Sequence, residues 1–164
     1  MSKWSKGIAL LVTVVCGLAL VSILLRSDER RIISLLDEMV REINSQKKGS
    51  YLANLATANR IADFFDTDFE IQIEAAGTPE LHITERSELI QVLLRAKNWS
   101  QKIRVELLDP RFLEVTSVGA VVDATGKAQV SGQDDIFVSE LRFSLVKTDG
   151  RWRIRKVQTV PTFQ

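Results

Sequence analysis

The chain has 164 residues, and its 22 Lys and Arg nearly cancel its 21 Asp and Glu, for a net charge of +1. That balance excludes the strong basic field of a nucleic-acid binder and gives no global pull toward an anionic surface. One cysteine and one histidine leave no disulfide framework and no His or Cys cluster for a metal, so neither a metal nor a cofactor is expected.

Residues 1–26 read as an N-terminal membrane anchor. The uncharged run at 7–25 is nineteen residues long, about 28 Å as a helix against the ~30 Å hydrocarbon core of a bilayer. A cleaved export signal is the alternative, with an apolar core of about 7–15 residues and a small-x-small site. Gly17-Leu18-Ala19 comes nearest to such a site, but a cut there leaves a greasy new terminus, so a retained single-pass transmembrane helix is preferred. Cys16 follows Val15, which does not suit a lipoprotein box, and reads as an inert helix residue. Lys3 and Lys6 stand on one side of the run and Arg26, Arg30 and Arg31 on the other, a near tie under the positive-inside rule. A short basic leader ahead of a single span ordinarily stays inside, which places the following domain on the extracytoplasmic, periplasmic side of a cell envelope.

About 139 residues remain, enough for one domain with an ordinary core and too few for two. Ile32, Leu35, Leu36, Met39, Val40 and Ile43 form one apolar stripe, which predicts a helix at about 28–46. Ser50 can cap a second helix that carries Leu52, Leu55, Ala56, Ala62 and Phe65 to a turn at "DTD". Phe69, Ile71 and Ile73 then alternate with Glu70, Gln72 and Glu74, the period of a half-buried strand. Thr84 is placed to cap a third helix carrying Leu89, Ile90, Leu93, Leu94 and Ala96. Strands follow at 103–108, 112–115, 119–131 and 136–147, with Pro110 marking a bulge or an edge because it lacks the ladder's N–H. "KTDGRW" supplies a tight Asp-Gly hairpin turn, and "RWRIRKVQTV" returns as the last strand. The fold class is therefore α+β, with the helices packed on one face of a curved antiparallel sheet.

This order, the stretch "HITERSELIQVLL" and the closing "LRFSLVKTDGRWRIRKVQ" resemble the nuclear transport factor 2-like superfamily, also called SnoaL-like, over about residues 28–160. The resemblance implies a cone-shaped sheet with three helices on its concave face and an inward-facing Trp152 and Ile154. It does not imply one function: members include isomerases, dehydratases, epoxide hydrolases, polyketide cyclases, ligand binders, transport adaptors and membrane-anchored secretion-system subunits. The enzymes share a pocket into which an Asp, His or Tyr points, because burial tunes such a group for proton transfer near neutral pH.

No residue meets that requirement by phase. Glu70 and Glu74 face outward, and Asp123 falls out of phase with Ala120, Val122 and Ala124. His82 lies out of phase with Leu81 and Ile83 and reads as a solvated loop or edge residue. Tyr51 starts the second helix, where packing is the plainer role. Asp63, Asp66 and Asp68 suit a helix exit and turn better than a metal site. No catalytic residue is expected.

Two surfaces can bind something. Ala120, Ala124, Gly126, Ala128 and Val130 share one strand face, and small side chains there, with Tyr51 and Trp152, either leave an apolar ligand pocket or admit a closely packed helix. On the opposite face Arg104, Arg142, Arg153 and Arg155 gather among Glu106, Asp123 and Glu140. That patch is either a solvated, salt-bridged face or a site for an acidic protein partner or anionic lipid, which the guanidinium fork suits. Across a two-fold axis these arginines would meet their own copies, so the soluble domain is expected to be monomeric. The preferred function is a membrane-anchored, non-catalytic binding or scaffold domain. A membrane-tethered isomerase or dehydratase and a subunit of a larger, secretion-type membrane assembly are the alternatives.

Overall fold

Ile32, Leu36 and Met39 recur at helical spacing, and all three are buried along one side of a helix, α1, that covers residues 27–44. The structure is a computed structural model that describes residues 27–45, 50–74, 80–98, 103–130 and 136–161. The expected membrane anchor lies outside the described residues, and among those described no helix is long and apolar enough to cross a membrane.

A second helix, α2 (Tyr51–Ala62), leads into strand β1 (Phe65–Ile73), followed by the short β2 (Leu81–Ile83) and helix α3 (Arg86–Asn98). Four more strands follow among the described residues: β3 (Ile103–Val115), β4 (Gly119–Val130), β5 (Ile136–Thr148) and β6 (Arg151–Thr159). They form one six-stranded sheet in the order β2-β1-β6-β5-β4-β3. The architecture is α+β, with three helices contributing Ile32, Leu36, Met39, Ile61, Ala62 and Leu89 to one buried cluster with the sheet's inner face. From the sheet come Phe65, Phe69, Val122, Phe143, Leu145, Trp152 and Ile154.

The expectation of a wholly antiparallel sheet is corrected at one pairing. β1 runs parallel to β6, with Phe65 beside Ile154 and Ile71 beside Val157, so the sheet is mixed. Alternation reveals which face of a strand is buried but not the direction of its neighbour, which depends on the path of the helices between them. Phe65 opens β1 rather than closing α2, and the "DTD" residues lie within that strand rather than in a turn. The stretches at 103–108 and 112–115 are one strand, interrupted by a register shift between Leu108 and Arg111. Pro110 sits in that shift on the edge strand, where its missing N–H leaves no ladder bond unmade, and Asp109 takes the extra residue at φ 51°.

Local signals hold at the β5–β6 turn, where Asp149 (φ 51°) and Gly150 (φ 74°) both occupy the left-handed region that a two-residue hairpin of matching twist demands. The helix caps are weaker than expected. Ser50 holds the N-cap position of α2 with no side-chain bond, and the first turn of α3 closes from the Leu89 N–H to the Glu85 carbonyl, one residue after Thr84.

Both ends of α1 are fastened to the sheet by side chains. At its C-terminal end the Asn44 amide donates to the Val105 carbonyl at 2.7 Å and accepts from the Val105 N–H at 2.8 Å, satisfying backbone groups of the edge strand β3. At its N-terminal end Asp28 reaches β5 and β6.

Candidate functional site

The strand phase that sends Phe143 and Leu145 inward continues to Lys147, and the hairpin register places Lys147 opposite Trp152. Asp28 of α1 meets both. Lys147 Nζ donates to the two carboxylate oxygens at 2.9 and 3.0 Å, and Trp152 Nε1 donates to Oδ1 at 3.1 Å. The Lys147 ammonium also lies 5.4 Å from the centre of the Trp152 ring, within cation–π range.

Asp28 is thus an inward carboxylate that the sequence reading missed, only 7% exposed. Burial pushes its pKa up, but the bonds from Lys147 and Trp152, together with the charges of Lys147 and Arg31, outweigh burial and hold it below the ordinary carboxylate range. An ionised group with both oxygens engaged acts as a fixed negative charge, not as a proton donor near neutral pH. The signal for it was present: Asp28 heads the stripe Ile32, Leu36, Met39, Ile43 at helical spacing.

The residues expected to frame a pocket do not all come together. Ala120 (4% exposed), Ala124 and Trp152 belong to the buried core cluster, which also takes in Ile32, Leu36 and Met39 of α1. Gly126 lies under Leu141, and Ala128 is half-buried nearer the end of β4. Tyr51 is 65% exposed at the start of α2, outside the cluster.

The outer face of the sheet carries the expected arginines, each with an acceptor. Arg142 grips Asp123 through Nε and Nη2 at 2.7 and 2.9 Å, with Arg111 3.5 Å from the same carboxylate. Arg155 places Nη2 2.8 Å from Asp66, and Arg104 is 3.1 Å from Glu106. Arg153 instead donates to the backbone carbonyl of Asp63 at 2.7 Å. The bond from Arg142 depresses the Asp123 pKa more than burial raises it, and Asp123 in turn raises that of Arg142. Asp123 is on the outer face, as its phase requires, yet it is buried because Arg142 and Arg111 cover it. Asp66 is likewise buried, beneath Arg155, a partner that alternation alone could not identify.

Beside Arg155 the outer face opens into a cleft of about 610 Å³ lined by Thr67, Asp68, Glu70, Ser144, Arg155 and Lys156 among others. Glu70 is shared there by Lys156 at 2.8 Å and His82 at 3.2 Å, and the Lys156 bond is the main cause of its lowered pKa. His82 is exposed on the edge strand β2. The cleft offers both signs of charge and hydroxyl groups, a lining suited to polar contact. Among the described residues no three His, Cys, Asp or Glu side chains converge as a metal site.

No family model matches the chain, and no curated protein matches it by sequence. Solved structures do. A protein of unknown function from Mycobacterium tuberculosis superposes with a TM-score of 0.65 at 18% identity, over 84% of this chain and 73% of that one. A nuclear transport factor 2-like protein with a cystatin-like fold from Novosphingobium aromaticivorans gives 0.62 at 15% identity, over 84% of both chains. A candidate scytalone dehydratase from the same organism gives 0.61 at 14% identity, over 84% of this chain and 85% of that one. At such identities the likeness speaks for backbone architecture alone. The chain has the fold of nuclear transport factor 2-like, cystatin-like proteins.

Proposed function

We propose that this protein is a membrane-anchored, non-catalytic binding or scaffold domain of the cell envelope, held by residues 1–26 with residues 27–164 on the periplasmic side. The observation that carries this reading is the state of Asp28. Its charge is committed to Lys147 and Trp152, and its depressed pKa leaves it without the proton that a general acid needs or the basicity that a strong general base needs. Binding falls to the outer face, where Arg142 and Arg155 can exchange their internal carboxylates for those of an acidic partner protein or for anionic headgroups. The soluble domain acts as a monomer and takes no nucleic acid.

Membrane fractionation tests the anchor: the full chain should stay with membranes through an alkaline wash, and a mature terminus near Leu20 would refute retention. Protease added outside spheroplasts should reach the domain; protection until lysis would place it in the cytosol. Partner capture from detergent-solubilised membranes, compared with an Arg142→Ala/Arg155→Ala variant, addresses the binding role.

The second reading is a membrane-tethered dehydratase or isomerase. It is favoured by the same buried Asp28 beside Trp152 and by the likeness to a candidate dehydratase. Loss of a small-molecule conversion in Asp28→Asn, with the fold intact, would establish it over the first.

A further inference from the structure

We propose that the end of the sheet formed by the β3–β4 and β5–β6 turns rests in the headgroup layer of a phospholipid membrane, with Val118 and Arg151 as its contact residues. The inference rests on the reading of residues 7–25 as a membrane anchor and adds where the domain sits on that membrane.

Chain length sets the height. Asp28 follows the last residue of the apolar run, Leu25, by three positions. An extended chain advances at most about 3.5 Å per residue, so Asp28 lies within about 10 Å of the hydrocarbon boundary. The headgroup layer on one side of a bilayer is itself about 5–8 Å deep. Asp28 is therefore at or just above the headgroups.

The clamp transfers that height to the sheet. Lys147 holds Asp28 through Nζ at 2.9 Å, while its own backbone N–H donates to the Val118 carbonyl at 2.9 Å. The β3–β4 turn is thus linked to Asp28 through one lysine residue and two hydrogen bonds, and the β5–β6 turn begins at the next residue. What these turns present suits an interface. Val118 is 66% exposed, an apolar side chain at the tip of a turn, and Arg151 is exposed across the hairpin. Arg31 is exposed beside Asp28. Carboxylates near this end are Asp149 and Glu114, which are exposed, Glu29, which is half-buried, Asp63, which pairs with Arg86, and Asp28, which Lys147 neutralises. An apolar tip flanked by guanidinium groups fits lipid phosphates, which Arg binds through its planar fork. β5 is 13 residues long, about 40 Å at 3.3 Å per residue. Exposed Ile136, Phe137 and Val138 lie at its other end, far from the clamp.

The test uses the full chain with Cys16→Ser and a single fluorescent label on Val118→Cys or Phe137→Cys. Each is reconstituted in phosphatidylcholine vesicles containing a minority of phosphatidylglycerol and a lipid with a headgroup-attached quencher. Quenching at position 118 should exceed that at 137 several-fold, Arg151→Glu should reduce it, and Asp28→Asn should narrow the difference while the circular dichroism spectrum is kept. Equal quenching at the two positions in a chain that resists alkaline extraction would overturn the inference and leave the anchor standing. Extraction of the chain by alkali would overturn both. Unchanged quenching at 118 in Arg151→Glu would remove Arg151 from the contact, and an unchanged difference in Asp28→Asn would remove the clamp as its cause.

Discussion

Arg142 on β5 lies across Asp123 on β4 as a two-pronged fork, and the two are direct partners in the strand register. The pair joins neighbouring strands on the face away from the helices and keeps a carboxylate that is only 6% exposed fully ionised. Five of the remaining outer-face cations, Arg104, Arg111, Lys127, Arg155 and Lys156, also stand next to a carboxylate, so charge on this face is organised into local pairs rather than left as a field.

Arg142→Ala should destabilise the domain by about 1–3 kcal/mol, because Asp123 loses its main partner while staying covered. The sign of the pH dependence follows from the depressed pKa of Asp123. Its pairing contributes stability that is fully present above the unfolded pKa near 4 and is lost as pH falls through the lower folded value. Urea unfolding at a series of pH values should show the gap between wild type and variant closing in acid. A gap that widened below about pH 4 would contradict the assignment.

Removing Lys147 should cost more than removing its partner. Lys147→Met leaves Asp28 buried with the indole N–H as its one remaining side-chain bond and the exposed Arg31 as its nearby charge, a loss of about 3 kcal/mol, whereas Asp28→Asn/Lys147→Met removes the orphaned charge and should recover part of it. Trp152→Ala should cost about 3–5 kcal/mol from the cavity, and Trp152→Phe about 1–2 kcal/mol from the lost donor. A double variant no more stable than Lys147→Met alone would mean that Asp28 is not the group stranded.

Gly126 reports on the space over β4. A Cβ built there falls 2.7 Å from Leu141 Cδ1, so Gly126→Ala should destabilise by about 1 kcal/mol as the leucine shifts, and Leu141→Val should relieve it. If an open pocket lay over this strand, Gly126→Ala would be neutral or stabilising by its restriction of the unfolded chain.

The domain at residues 27–164 should sediment as a monomer at micromolar concentration and moderate salt. Arg142 and Arg155 already bind Asp123 and Asp66, so pairing two outer faces would bury these charges against their own copies. A dimer lost in Arg155→Ala would show that the arginines instead bridge to acids of the second copy.

Much of the fold was legible because burial imposes a period. The stripe of α1, the alternation in β1 and β4, and the Asp-Gly turn each answer to forces within a few residues of sequence. What alternation cannot encode is partnership between distant segments. Phe65 and Ile154 both read as inward residues, but nothing local says that their strands run parallel. The same limit hid the candidate site. Asp28 is in phase with the α1 stripe, but its role depends on Lys147 and Trp152, which stand 119 and 124 residues away. Asp123 was placed on the correct face, while its burial comes from the length and flexibility of Arg142 and Arg111.

The place of β6 in the sheet has a consequence for the order in which this molecule can assemble. It is the last strand in chain order among the described residues and lies in the interior of the sheet, between β1 and β5. Without residues 151–159 the ladder separates into β2-β1 and β5-β4-β3, and Asp28 has no indole to meet. The early helices therefore lack part of their supporting surface until residues 151–159 are in place. Such non-local closure is slow relative to helix formation. Helix formation and sheet closure are thereby separated in time.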